Sequence, residues 1–244
     1  MVKKLAGIGK VVEGYNSVFS AIESNRVKKI IYLETGNANS DRLKKLINLA
    51  NSKGLGLEKI STKNKWVYSG RHTIVALCDP KETYNEKNLD KLNSSNIAVL
   101  DHIQDTNNVG AIARSASAFN FNIICLPKKR SVNITERTFS ISSGGLENVD
   151  IVFYNSIFSL IKKLKSLNYW TIGLEMNAEE NISNSSFNDQ KVALFIGSEE
   201  SGLSVEVQKK LDLVLKINMN DTIESLNASV AAGIAMSYFF KKNS

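Results

Sequence analysis

The sequence predicts an α/β protein. Its larger, C-terminal part is a parallel sheet with helices on both faces, and a smaller α/β domain precedes it. Three observations lead there. Strand-like and helix-like stretches alternate along most of the 244 residues, the pattern of a sheet covered by its own crossover helices. From residue 97 onward the strand-like runs IAVLD, FNIICLP and KVALFIG are apolar nearly throughout, as strands buried on both faces are. Between the two parts, DPKETYNEKNLDKLNSSN (79–96) is polar, carries one of only two prolines and has no apolar face. It is expected to be a linker between residues 1–78 and 97–244, with at most a short helical piece.

In chain order, GYNSVFSAIES (14–24) is expected to be a helix and VKKIIYLE (27–34) a strand. SDRLKKLINLANSKG (40–54) reads as a helix with Ser40 as N-cap and Gly54 as stop, because a hydroxyl satisfies first-turn N–H groups and glycine tolerates the left-handed residue at a helix end. LGLEKIS and HTIVALC (72–78) read as strands. Beyond the linker, each strand feeds a helix: IAVLD into NVGAIARSASAFN, FNIICLP into ITERTFSISSGG, VDIVFY into SIFSLIKKLKSLN. YWTIGLE runs into a polar insert, KVALFIG into LSVEVQKKLD, and LVLKIN into a closing helix over 225–241. In that helix Leu226, Val230, Ile234 and Tyr238 recur every fourth residue, and Ser225 and Asn227 are expected in its first turn. Ala228, Ala231, Ala232, Gly233 and Ala235 leave room for another chain to pack closely.

Composition narrows the class. Hydrophobic residues make up 43% and charged residues 23%, the profile of a globular protein. No apolar run approaches the roughly 18–20 residues of a membrane span. The start, MVKKLAGIGKVVEGYN, has neither a sustained apolar core nor a cleavage site, so a cytoplasmic protein is expected. Cys78 and Cys125 each end an apolar run and read as buried free thiols. Two histidines and two isolated cysteines show no ligand spacing, so no metal site is expected, and His72 and His102 read as ordinary structural or surface residues. The net charge of +7 is unevenly placed: residues 1–95 hold 17 basic against 9 acidic residues, and the remainder holds 14 against 15. A basic accessory segment points to a polyanion, nucleic acid first, against the alternative of a solvated lysine surface.

An α/β sheet binds ligands beyond the carboxyl ends of its strands. Three loops there are polar, bear glycine or serine, and lead toward helices: DHIQDTNNVGAIARSASAFN, GSEESGLS and INMNDTIESLNAS. No G-x-G-x-x-G follows a strand, and GIGKVVEG lacks both the preceding strand and a correctly placed third glycine, which argues against a nicotinamide-dependent oxidoreductase.

These loops resemble the three ordered motifs of the SpoU/TrmH family of RNA 2′-O-ribose methyltransferases. The pattern Asn-x-Gly-x-x-x-Arg is met by Asn108, Gly110 and Arg114, and Gly-x-Glu-x-x-Gly by Gly197, Glu199 and Gly202. The third motif, Ile-Pro-Met leading into Ser-Leu-Asn, is met by Ile217, Met219, Ser225, Leu226 and Asn227. Two positions depart from it: the proline is Asn218, and the glycine two residues beyond the methionine is Asp221. The likeness covers most of 97–240, and the VVEGYNSVFSAIES start is similar to the small ribosomal-protein-like substrate domain of the RlmB-like branch.

The resemblance implies a SPOUT-type domain with a deep trefoil knot, S-adenosyl-L-methionine as cofactor, an RNA substrate (a guanosine of 23S rRNA, or alternatively tRNA) and a homodimer. A non-catalytic RNA-binding or assembly factor of the same fold is the competing reading. Gly197, Ile217, Met219, Leu226, Ser225 and Leu174 are then expected at the cofactor, and Arg114, Asn108, Glu199, Ser225 and Asn227 at the reacting centre. Arg114 is often proposed as the base in this family. A free guanidinium pKa of about 12.5–13.8 leaves almost no neutral form at pH 7, so orienting a phosphate suits its planar donor fork better. Asn108 is expected to position substrate, to fix the Arg114 loop or simply to cap its helix, and Glu199 to orient Arg114 or a loop N–H. Lys128, Lys129 and Arg130 follow a strand end and read as RNA phosphate contacts or as a solvated basic turn.

Overall fold

The computed structural model describes residues 5–34, 41–68, 71–92, 94, 96–129, 133–184, 190–198, 200–220, 222 and 224–240. The expected N-cap Ser40, the site candidates Glu199 and Arg130, and the motif departure Asp221 lie outside the described residues.

The chain begins with β1 (Leu5–Ile8) and β2 (Val11–Glu13), then α1 (Tyr15–Glu23), β3 (Val27–Leu33), α2 (Asp41–Ser52), β4 (Gly56–Ile60) and β5 (Ile74–Cys78). Strands β2, β5, β3 and β4 form a four-stranded sheet in that order, in which only β3 and β4 run parallel. Buried Val18, Ala21 and Ile22 of α1 and Leu46 and Ala50 of α2 belong to the same core as Val12, Ile30, Ile74 and Ala76.

The polar stretch 79–96 holds more than the short helical piece expected of a linker. It contains β6 (Lys81–Asn85) and a 3₁₀ turn over Glu86–Lys91, whose start is closed by reciprocal bonds between Asn85 and Asn88. Strand β6 joins the large sheet, parallel to β9, and β1 pairs antiparallel beside it. Backbone pairing near a sheet edge requires no continuous apolar face; in β6 only Thr83 is fully buried.

The rest of the large sheet comes from β7 (Asn96–Leu100), β8 (Ile123–Pro127), β9 (Asp150–Tyr154), β10 (Tyr169–Leu174), β11 (Glu180–Asn181), β12 (Lys191–Ile196) and β13 (Leu213–Lys216). The nine strands run β1-β6-β9-β8-β7-β12-β10-β13-β11, all parallel except the β1–β6 pair. Side-chain alternation sorts the central strands onto two cores. Ala98, Leu100, Ile124, Leu126, Val192, Leu194 and Ile196 face one; Ile97, Val99, Ile123, Cys125, Ala193 and Phe195 face the other.

On the first face lie α3 (Thr106–Ala118), α4 (Glu136–Ser142), α5 (Gly145–Asn148) and α8 (Ala228–Phe239); on the second lie α6 (Ile157–Ser166) and α7 (Val205–Gln208). The helix expected over ITERTFSISSGG is α4, closed by left-handed Ser143 (φ 48°) and Gly144 (φ 95°), and the short α5 follows directly. A Cβ at Gly144 would lie 2.2 Å from Ser20 Oγ, so this corner is where the small sheet's α1 presses on the large domain. The helix expected over LSVEVQKKLD is only the four residues of α7, and α8 starts at Ala228 rather than 225. Its N-cap is Asn227, whose Oδ1 accepts from the Ser229 N–H at 2.9 Å and the Ser229 hydroxyl at 2.6 Å; Ser225 and Leu226 lie in the approach loop. Among the described residues no helix is long and apolar enough to cross a membrane.

Candidate functional site

Adjacent parallel strands β12, β10 and β13 end at Ile196, Leu174 and Lys216, so their following loops emerge on one edge of the sheet. They enclose a cleft of about 450 Å³ that the start of α8 closes through Ala228 and Ala231. This is within the usual size of a small-molecule site. All six expected cofactor residues, Leu174, Gly197, Ile217, Met219, Ser225 and Leu226, line it. Glu175, Met176, Glu200 and Glu224 also border it.

The turn after β12 is built from backbone. Ser198 and Gly202 form an antiparallel bridge, the Gly202 N–H donates to Ser198 O at 3.0 Å, and the Ser198 and Ser201 hydroxyls meet at 2.8 Å. Gly202 is left-handed at φ 61°. A Cβ at Gly197 would lie 2.1 Å from the Gly202 carbonyl carbon, so a side chain there would prise the turn open. The cleft therefore offers backbone groups from this turn and apolar walls from Leu174, Ile196, Ile217, Met219 and Leu226. That donor set suits an adenosine-type ligand: amide groups for a base edge, aliphatic surface for its faces.

Of the expected reacting-centre residues that are described, only Ser225 borders the cleft. Arg114 is exposed on α3, and Asn108 is buried in the first turns of that helix. Helix α3 packs against α8, with a Cβ at Gly233 lying 3.2 Å from Ser115 Oγ, so the Arg114 helix and the Asn227-capped helix are neighbours. Behind Arg114, Gly145 admits α5 so closely that a Cβ would lie 2.7 Å from Ala113 O and 2.8 Å from Arg114 Cα. Asn108 is not the helix cap; Asp105 is, accepting from the Asn107 N–H at 2.8 Å. Lys128 and Lys129 are exposed just past the end of β8, on the same edge of the sheet.

Both histidines, expected as structural or surface residues, have side-chain partners. His72 Nε2 meets Ser140 Oγ at 2.6 Å, joining the small sheet to α4. His102, left-handed at φ 59°, pairs through Nδ1 with Asp101 Oδ1 at 2.8 Å. The buried Asp101 also accepts from the Tyr154 hydroxyl at 3.1 Å. Burial first, and then the Asp101 charge, push the Tyr154 phenol up, so it stays a donor. This cluster sits beside Gly197, since the Asp101 N–H donates to Ile196 O. Its sequence signal was the DH pair directly after a strand.

Residues 95–237 match the model of the SpoU rRNA methylase family. The chain belongs to that family. A second match, over residues 11–84, is to the substrate-binding domain of RNA 2′-O-ribose methyltransferases. With these two matches, this SpoU methylase is an S-adenosylmethionine-dependent RNA 2′-O-ribose methyltransferase. It is 28% identical over 242 residues, 95% of each chain, to the TrmH family tRNA/rRNA methyltransferase YacO of Bacillus subtilis (strain 168). In fold it is similar to an AdoMet-bound rRNA methyltransferase from Sinorhizobium meliloti, with TM-score 0.73 and 17% identity over 93% of this chain and 85% of that one. The TrmH/SpoU tRNA-modifying enzyme of A. aeolicus matches only 61% of this SpoU methylase and 75% of its own length, with TM-score 0.54 and 22% identity.

Proposed function

We propose that this enzyme methylates a ribose 2′-hydroxyl in large-subunit rRNA, on a guanosine of 23S rRNA. The observation that carries the reading is the small sheet. Its sequence matches a substrate-binding domain, and the likeness to a solved rRNA enzyme extends over both sheets, whereas the likeness to the tRNA-modifying enzyme covers 61% of the chain. In this reading residues 1–78 supply RNA affinity, in keeping with their basic balance, and 97–244 carry the methyltransferase chemistry.

Leu174, Gly197, Ile217, Met219, Ser225 and Leu226 would hold the cofactor, which supplies an electrophilic methyl group when bound. The protein's own task is to bring a ribose hydroxyl there and hold it, and positioning of this kind supplies several kcal/mol in a two-reactant step. Arg114 grips the neighbouring phosphate with its planar fork, and the phosphate or a water takes the hydroxyl proton. Asn108, buried in the same helix, keeps Arg114's turn in register, and Asn227 fixes the start of α8 above Ser225. Lys128 and Lys129 extend the phosphate track. Glu199 we assign to orienting the glycine turn or Arg114. We also infer the deep trefoil knot, supported by the insertion of β12 between β7 and β10 while β13 lies beyond β10. A homodimer through α8 is supported by exposed Val230 and Tyr238 on a helix rich in small residues.

Mapping ribose methylation across total RNA of a deletion strain tests the substrate. Loss of one 23S guanosine mark is expected; loss confined to a tRNA would replace the rRNA reading with the tRNA one, and no loss anywhere would favour the assembly factor. Sedimentation should give a dimer at micromolar concentration, and an active monomer would remove the dimer.

A further inference from the structure

Glu175 belongs to none of the motifs that mark the site, yet it ties the cleft together. It follows β10 directly and borders the cavity. Its backbone N–H donates to Leu215 O at 3.0 Å, which fixes it to β13. Its carboxylate reaches the other way and accepts the N–H of Leu203, the residue that closes the turn after β12. The fit is close: a Cβ at Gly202 would lie 2.6 Å from Glu175 Oε1 and 2.8 Å from Oε2. One residue thus connects three strand ends around the cavity.

Among the described residues, Leu203 is also anchored by burial in the core, but few hydrogen bonds hold the turn from outside. Glu200 and Ser201 are exposed, and the bonds among Ser198, Ser201 and Gly202 are internal to it. On its far side the Gln208 amide donates to the Leu203 carbonyl at 2.7 Å, but Gln208 belongs to α7, the helix that follows the turn. Burial pushes the Glu175 carboxyl up, and the Leu203 N–H pulls it back. A half-buried carboxylate kept at such a cost, with a backbone donor committed to it, marks a position with a task.

We propose that Glu175 is a positioning residue, the brace that holds the Gly197–Leu203 turn in its cofactor-binding shape. The inference rests on the reading of this cleft as the S-adenosylmethionine site. A preformed turn spares the ligand the cost of ordering it, so losing the brace weakens cofactor binding while leaving the methyl-transfer step at saturation largely intact. The rival role for the same carboxylate is direct attraction for the cofactor's positive charge. The two differ in what Glu175→Gln does: the amide oxygen still accepts the Leu203 N–H, but the charge is gone.

The test is calorimetry on the full chain with S-adenosylmethionine and with its product S-adenosylhomocysteine, which lacks the sulfonium charge, beside hydrogen exchange of the ligand-free protein. Glu175→Ala should weaken both ligands alike, by about tenfold or more, the loss expected for a hydrogen bond to a charged group. It should also speed exchange at the Leu203 amide while β12 stays protected. Glu175→Gln should remain within about threefold of wild type for both ligands and keep the Leu203 amide slow. Glu175→Met, of similar length but without an acceptor, replaces the alanine variant if that one folds poorly. Unchanged affinities in the variants lacking an acceptor overturn the brace, as does a Gln variant that loses S-adenosylmethionine but keeps the product. A wild-type protein that binds neither ligand while its Leu203 amide is protected by Glu175 overturns instead the reading of the cleft, and the cofactor role of the brace with it.

Discussion

Arg26 and Glu147, 121 positions apart, meet as a two-pronged ion pair: Nε to Oε2 at 2.9 Å and Nη2 to Oε1 at 2.6 Å. The Glu147 side chain is fully buried, and the Arg26 side chain is 11% exposed. Arg26 also donates to the carbonyls of Gly9 and Asp79 and lies 5.8 Å from the Phe139 ring centroid. Lys81 adds a bond to Glu147 O at 3.1 Å. The pair therefore clasps the small sheet to α5 of the large domain. Removing one partner strands the other charge, so Arg26→Ala or Glu147→Ala should lower unfolding free energy by about 3–5 kcal/mol, while an apolar pair of similar volume recovers much of it. Urea titrations measure this. A loss under about 1 kcal/mol for both single variants would mean that the joint is wet.

The sharpest functional prediction concerns Arg114. If it grips RNA and assists proton removal, Arg114→Ala should keep its melting temperature and its cofactor affinity but lose at least about 100-fold in methyl transfer. Arg114→Lys should not rescue the rate, because an ammonium lacks the planar fork. Single-turnover assays on a matched RNA decide it, and a lysine variant with most of the rate would reduce Arg114 to a point charge.

Binding of RNA should weaken steeply with salt. Deleting residues 1–78 would open the large sheet's edge at β1 and the Arg26 clasp, so surface substitutions are the cleaner probe. Lys63 and Lys65 are exposed on a turn beside Trp66 and Tyr68, whose rings meet edge-on at 5.2 Å. Replacing both lysines by alanine should reduce the slope of log affinity against log salt by about two, since each lysine that neutralises a phosphate releases about one counterion. An unchanged slope would remove this turn from the RNA surface.

Acid should loosen the fold partly through Asp212. Its carboxylate accepts from Lys165 Nζ at 2.6 Å and from the Thr171 N–H and hydroxyl at 2.9 and 2.7 Å. Burial alone would push its carboxyl up, but Lys165 and Thr171 outweigh that and hold it below the ordinary value. A carboxyl lowered in the folded state stabilises above its unfolded pKa, and the contribution disappears as pH falls through the folded one. Asp212→Asn should therefore be less stable than wild type at neutral pH, and the gap should close on acidification below about pH 4. A gap that stays constant to about pH 2 would exclude the carboxylate.

Much of this was legible in the sequence where side-chain chemistry decides structure. The runs IAVLD, FNIICLP and KVALFIG became β7, β8 and β12 because two-sided burial demands apolar residues at every position. Two of the motif loops and Leu174 at the end of β10 bring all six expected cofactor residues to one cavity, because the carboxyl ends of neighbouring parallel strands can only emerge together. What stayed hidden depends on backbone pairing and on long-range partners. Strand β6 has no apolar face, since its neighbours supply hydrogen bonds rather than a core. Ser225 looked like a first helical turn, but Asn227 takes the cap and starts the helix later. His72 and Glu175 gave no local signal, because Ser140 and Leu203 reach them only through the fold.

The strand order also constrains how the protein can be made. Everything in the small sheet lies within residues 11–78, so it can close while the later chain is still being synthesised, as N-terminal units commonly do. Strands β1 and β6 have to wait, because the strand that joins them to the large sheet, β9, begins only at Asp150. Strand β7 waits longer still for β12, which begins at Lys191 and then separates it from β10. Until then the emerging chain carries unpaired strand edges, open to pairing with another copy. The pace of translation through the last quarter of the message thus bears on how much of the protein reaches its native state.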